Sequence, residues 1–379
     1  MTQTPSGARL VEDPAEFRAL LDQWKVEPIV ALDTEAASFH RYLDRVYLLQ
    51  VSTSRSTWIV DPLAIPGLPG MGELLADPGI EFVFHDADYD LRLLDHEYGF
   101  RVARLFDTRV AAQFVSEPAI GLAALLEKLF GVTLDKRFQR ADWSLRPLSQ
   151  EMLAYAALDT RYLAELRDTL RQQLRTMGRL SWVEEECGLL REVRWPEAKP
   201  PELAALDAKG ARTLSPRGLA IFRELYVWRE SLAEQRDRAP FRIAVNEALL
   251  WMAQHPVQSL EELRKVRGLG KDLVGQQSDS ILSSIARALA LPESELPRYP
   301  RPPRHRRDPA HEDRLDRLKA MRTTQSARLN LPPGLIAPNW LLESIARAAP
   351  ANKQDLASLP GLRRWQLTVL GGAILDALK

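Results

Sequence analysis

The chain has 379 residues, a single cysteine and 51 basic against 51 acidic side chains. The length implies two to four domains. The lone Cys187 excludes a disulfide framework and a cysteine-based zinc site, and no apolar run reaches the roughly 18 residues that span a membrane. The neutral total hides an asymmetry. Residues 1–204 carry about −9 and residues 205–379 about +9, an acidic front suited to cations and a basic back suited to a polyanion, unless both are solvated faces. Met1 to Leu10 lacks a signal-type apolar stretch, so the expectation is a soluble cytoplasmic protein.

Residues 13–24 read as a helix opened by Asp13-Pro14, with Phe17, Leu20, Leu21 and Trp24 at helical spacing. Three closely spaced strands follow, Ile29–Asp33, Val46–Thr53 and Thr57–Asp61, as an antiparallel meander. Met71–Ala76 is a short helix and Ile80–His85 another strand. Asp86 is expected to cap a helix reaching Gly99. A strand near Leu105 leads to Asp107-Thr108, which opens a helix to Val115. Gly121–Phe130 is helical, and Ser149 opens one long helix to Met177. This is a mixed-sheet α/β domain. Residues 184–205, with Trp195-Pro196 and Lys199-Pro200-Pro201, read as a partly packed linker. Only helices follow: 217–235, 243–254, 259–266 and 272–291, then 308–323, 339–348, 353–358 and 365–378. Pro292 to Arg307 is a proline- and arginine-rich linker whose arginines at 301, 304, 306 and 307 either meet phosphates or are solvated.

The two helical segments repeat each other at an offset of 93, pairing Asn246 with Asn339, Gly268 with Gly361, Leu269 with Leu362 and Lys271 with Arg364. The Gly-Leu-Gly-Lys and Gly-Leu-Arg-Arg turns place N–H groups and a cation at a helix start, which suits a phosphate; equally, each glycine is a helix stop. The expected boundaries are 1–183, 184–210, 211–292, 293–307 and 308–379.

The first strand ends in Asp33-Thr34-Glu35, two carboxylates on one side of an extended chain. Such charges are unfavourable beside a core unless something offsets them. Two further acids stand in helical contexts. Asp90, in His85-Asp86-Ala87-Asp88-Tyr89-Asp90-Leu91, falls on the first turns of its helix beside apolar residues, with Asp86 the alternative ligand. Asp159, in Tyr155-Ala156-Ala157-Leu158-Asp159, shares a face with Tyr155 one turn earlier. Four oxygen-only ligands suit Mg²⁺ or Mn²⁺ and can hold two cations about 3.5–4 Å apart, with Tyr155 holding or deprotonating a water.

In these motifs the chain resembles ribonuclease D, within the DEDD superfamily of 3′→5′ exonucleases. Asp33-Thr34-Glu35 matches the first motif, His85 through Asp90 the second, and Tyr155 through Asp159 the third in its tyrosine-bearing variant. Asp107-Thr108, Leu134-Asp135-Lys136, Asp142-Trp143 and Arg146-Pro147-Leu148 also fit, and the two repeats resemble HRDC domains. The resemblance implies a ribonuclease H-like fold, two Mg²⁺ or Mn²⁺ ions held by Asp33, Glu35, Asp90 and Asp159, and release of nucleoside 5′-monophosphates from RNA 3′ ends, as in trimming tRNA precursors. Thr34, through its backbone, and His85, Lys136, Trp143 and Arg146 are candidate RNA contacts; His85 is alternatively structural, and the last three alternatively pack a loop. The competing readings are a DNA-directed exonuclease and a non-catalytic nucleic-acid scaffold. The second repeat diverges, with Asn339-Trp340 where the first has Asn246-Glu247.

Overall fold

A computed structural model describes residues 7–135, 137–299 and 308–379. Its first part is a six-stranded sheet: β1 (Arg9–Val11), β2 (Ile29–Glu35), β3 (Leu48–Ser52), β4 (Thr57–Val60), β5 (Glu81–Phe84) and β6 (Leu105–Asp107), in spatial order β1-β4-β3-β2-β5-β6. The expected meander is present, since β2–β3 and β3–β4 are antiparallel, while β1–β4, β2–β5 and β5–β6 are parallel. β5 pairs with β2 only from Ile29 to Ala31, whereas β3 accompanies β2 through Glu35. The last residues of β2 therefore have an open flank on the β5 side. In open sheets of this kind a crevice forms beyond the carboxyl ends of parallel strands.

Helices α1 (Pro14–Trp24), α2 (Met71–Leu75), α3 (Asp88–Tyr98), α4 (Thr108–Phe114) and α5 (Leu122–Phe130) connect and cover the sheet. Asp86 does not cap α3. It has φ +70, and its carboxylate pairs with Arg109. α3 has no side-chain cap, and the turn leading into it is held by Asp107, which lies at the end of the neighbouring strand. Its buried carboxylate accepts from the amides of Asp86 (3.3 Å) and Ala87 (2.7 Å), and from Arg109 (2.8 Å) and Val110 (3.0 Å) at the start of α4. One side chain thus caps α4 and satisfies two amides in the turn ahead of α3.

The expected long helix is two, α6 (Gln150–Arg161) and α7 (Leu163–Thr176), broken at Tyr162. The halves cover different strands. α6 lies on β2, β3 and β4, and α7 on β2, β5 and α4. A straight helix cannot follow both. The bond between Ser52 Oγ and Thr160 Oγ1 (2.7 Å) fixes the end of α6 to β3.

The stretch 184–210 is not a free linker. The expected boundary at 183 cuts α8 (Leu180–Leu190), whose Val183 and Cys187 are buried, and α9 (Pro201–Asp207) follows. Trp182 stacks on Trp365 at 4.9 Å, and Trp195 on His96 at 4.5 Å. The first helical unit comprises α10 (Pro216–Gln235), α11 (Pro240–Ile243), α12 (Asn246–Gln254), α13 (Leu260–Leu263) and α14 (Lys271–Ala290). The second comprises α15 (Pro309–Leu329), α16 (Pro333–Ile336), α17 (Asn339–Ala348), α18 (Lys353–Ala357) and α19 (Arg364–Leu378). Their shared register is structural. Arg229 Nη1 donates to Ala244 O and Asn246 Oδ1, and 93 residues later Arg322 Nη1 donates to Ala337 O and Asn339 Oδ1.

The units differ in packing. The first has its own core, whereas that of the second merges with the sheet domain. The Gly-Leu-Arg-Arg turn is occupied from within: the Glu185 carboxylate accepts from the amides of Arg364 (2.7 Å) and Trp365 (3.0 Å), and Glu186 from the Trp365 indole (2.9 Å). No side chain caps α14 at the corresponding turn of the first unit. Gly361 has φ +82, and a Cβ there would lie 2.2 Å from Trp340, so glycine is required.

Asp107→Ala should lower stability by about 2–4 kcal/mol, since it strips the cap from α4 and the acceptor from two amides ahead of α3. Asp107→Asn should lose less. Urea unfolding of the two variants measures the difference.

Candidate active site

Asp33 and Glu35 point to the face of β2 that α6 crosses. Asp159 descends from α6 onto them, and the carboxylate oxygens of Asp33, Glu35 and Asp159 lie within 4.8 Å of one another. Asp90 arrives from α3 on the open flank. Its Oδ1 accepts from Thr34 N (3.1 Å) and Thr34 Oγ1 (2.5 Å), so Thr34 holds the fourth acid against β2. Tyr155 sits one turn before Asp159 on α6. Asp33, Tyr155, Asp159 and His85 line a cleft of 410 Å³ together with residues of α5 and the segment that follows it, including Gln139.

Burial is the main electrostatic influence. It raises the Asp33 carboxyl well above its ordinary value, with added repulsion from Asp90, Asp159 and Glu35. Glu35 rises through burial and then repulsion by Asp159 and Asp90. Burial lifts Asp90 and Asp159 to about 7, the latter also repelled by Asp90. Among the described residues, no lysine, arginine or histidine forms an ion pair with any of the four. An all-oxygen, buried, mutually repelling donor set is chemically matched to hard divalent cations. Tyr155 is pushed upward by burial, then by Asp159, Glu35 and Asp33.

The remaining candidates are distributed unevenly. His85 Nδ1 is 2.9 Å from Thr108 Oγ1, whose hydrogen goes to Phe84 O (3.0 Å), so Nδ1 donates and Nε2 is the acceptor. Burial lowers the imidazole to about 4, leaving it neutral beside the cleft. Lys136 lies outside the described residues. Trp143 and Arg146 turn inward. Trp143 is buried with its ring 6.0 Å from that of Tyr155, and Arg146 grips Asp61 through Nε (2.5 Å) and Nη2 (2.8 Å) while donating to Tyr47 O. They brace the segment behind Tyr155. Sequence reasoning missed Gln50, fully buried, in register with Asp33 on β3, and without a side-chain partner among the described residues. A polar residue within the apolar run Leu48-Leu49-Gln50-Val51 was the available signal.

A mixed sheet whose central strand ends in paired carboxylates, completed by acids from two helices, defines the class of metal-dependent 3′–5′ exonucleases. A family model described as 3'-5' exonuclease matches residues 8–175, and the HRDC domain model matches 218–285 and 311–378. The chain is 31% identical over 360 residues to Ribonuclease D of Granulibacter bethesdensis, covering 94% of this chain and 89% of that protein. The crystal structure of Escherichia coli RNase D, an exoribonuclease involved in structured RNA processing, superposes with a TM-score of 0.72 at 27% identity, covering 98% of both chains. The catalytic core of RRP6 from Trypanosoma brucei gives 0.68 at 30% identity, over 77% of this chain and 84% of that one. The chain belongs to the ribonuclease D family and is a 3′–5′ exoribonuclease.

Without metal, Asp159→Asn should remove one of the repelling charges and raise Tm by about 2–4 °C, the shift for about 1 kcal/mol in a domain of this size. Mn²⁺ should raise the Tm of the parent protein and leave that of the variant nearly unchanged. Thermal melts in EDTA and in Mn²⁺ check both.

Proposed function

We propose that this exoribonuclease removes nucleotides singly from RNA 3′ ends, with two divalent cations, Mg²⁺ or Mn²⁺, held by Asp33, Glu35, Asp90 and Asp159. The convergence of Asp33, Glu35 and Asp159 within 4.8 Å carries this reading. Cations seated there would lower the pKa of a water and offset charge on the leaving oxygen. Asp33, whose ionisation is opposed by all three other acids, would be the residue shared between the two cations. Glu35 would stand beside the attacking water. Tyr155, one turn before Asp159, is the residue placed to hold or deprotonate the attacking water. The water oxygen bonds to the terminal phosphorus as the bond to the upstream 3′ oxygen breaks. The phosphate leaves on the released nucleoside 5′-monophosphate, and the shortened RNA regains a 3′ hydroxyl.

Trimming of tRNA precursors in the cytoplasm is the proposed task, supported by the family and by the structured RNA named for the Escherichia coli protein. Catalysis is assigned to the sheet domain through α8. RNA holding is assigned to the first helical unit at 211–292, whose Gly-Leu-Gly-Lys turn remains open; the second unit, at 308–379, is committed to packing.

Asp33→Asn should cut nucleotide release by at least about 10³-fold while RNA affinity changes little, and Tyr155→Phe should cost about 10²-fold. Time courses on a 3′-extended tRNA and on a matched DNA strand, with each metal and with EDTA, test the proposal. Undiminished release by Asp33→Asn or in EDTA overturns the mechanism, and equal use of DNA overturns the RNA assignment.

A further inference from the structure

The segment after Glu35 leaves the sheet and forms a seam with the first helical unit. Polar contacts close it. The Asp237 carboxylate accepts from Tyr42 N (3.2 Å) and Arg41 Nη1 (3.3 Å), Ala239 N donates to His40 O (3.2 Å), and Arg242 Nε donates to Phe39 O. Two phenylalanines on this seam are only half covered. Phe39 from the sheet domain and Phe241 from α11 meet edge to face at 6.2 Å, yet remain 41% and 48% exposed. The exposed Arg140 lays its guanidinium over the Phe39 ring at 5.0 Å and has no carboxylate partner among the described residues.

This patch borders the catalytic cleft from two directions. Arg140 directly follows Gln139, which lines the cleft, and its carbonyl is bonded to His40 Nε2 (2.9 Å). Phe39 is four residues beyond Glu35, at most about 14 Å of chain. The patch is far smaller than the roughly 800 Å² per partner of a stable protein interface. Its chemistry is aromatic faces with cations: Arg140, Arg238 and Arg242 are exposed, and the nearby Asp237 is already engaged by Arg41 and Tyr42. Unpaired bases stack on aromatic rings and guanidinium planes, and their phosphates seek arginine.

We propose that Phe39, Phe241 and Arg140 form a stacking platform for the unpaired nucleotides just upstream of the RNA 3′ end. The catalytic domain and the first helical unit then grip one strand together. This rests on the exoribonuclease reading and adds a substrate requirement to it. An RNA must present several unpaired 3′ nucleotides to be held well, whereas a dinucleotide bypasses the platform.

The test compares an unstructured ribo-octamer with a ribodinucleotide as substrates of the full chain. Phe39→Leu/Phe241→Leu keeps apolar packing at the seam but removes the ring faces. It should raise KM for the octamer about tenfold and leave kcat and dinucleotide KM unchanged. Phe39→Ala/Phe241→Ala should do the same, and if it melts early the leucine pair carries the result. Arg140→Gln should raise octamer KM by a smaller factor. In EDTA, 2-aminopurine at the third or fourth position from the 3′ end should be quenched on binding the parent protein and not the leucine variant. Unchanged octamer KM, an equal rise for both substrates, or undiminished quenching in the leucine variant overturns the platform. If the parent protein releases nucleotide from neither substrate, the exoribonuclease reading fails, and the fluorescence in EDTA still decides the platform.

Discussion

Four carboxylates are gathered at the end of β2, and the surrounding fold sets their positions. Burial works against ionised groups at Asp33, Glu35, Asp90 and Asp159, and repulsion by neighbouring acids of the set adds to it at Asp33, Glu35 and Asp159. The counterweight is structural. Thr34 gives Asp90 two hydrogen bonds, Asp107 secures the start of the helix that carries Asp90, and the Ser52–Thr160 bond ties down the helix that carries Asp159. Hydrogen bonds that fix the acid-bearing elements preorganise the donor set, and preorganised charge is more effective in catalysis than charge that must be assembled.

The same logic extends behind Tyr155. Trp143 packs against its ring, and the Arg146–Asp61 pair fastens the Trp143 segment to the sheet. The side chains of Trp143 and Arg146 meet protein on these sides.

The duplicated helical units show how one local design takes two uses. Both keep an arginine bonded to a carbonyl and an asparagine at equivalent positions, and both have a glycine at positive φ before the last helix. In the second unit, Glu185 occupies the helix start that a phosphate would otherwise suit, and the unit becomes part of the catalytic domain's core. The first unit makes a mainly polar seam with that domain and keeps its turn open. Divergence lies less in the units themselves than in what α8 offers to one of them.

Much of this architecture was legible in the chain. Side-chain period determines which residues share a face within one strand or helix, so the pairing of Asp33 with Glu35 and of Tyr155 with Asp159 followed from spacing of two and four. The meander, the helical repeats and the Asp13, Asp107 and Ser149 caps are likewise local. What proximity between elements does was not legible. Asp86 has the residue type and place of a cap, yet its carboxylate pairs with Arg109 from another helix. The continuous helical pattern from 149 to 177 concealed a break that lets its halves cover different strands. Trp143 and Arg146 had residue types suited to RNA or to packing a loop, and their contacts with Tyr155 and Asp61 could not be read from spacing. Local sequence specifies periodicity and turn chemistry. Which carboxylates confront each other, and which cations are already spent on protein partners, depends on contacts between residues far apart in the chain, and only tertiary packing decides those.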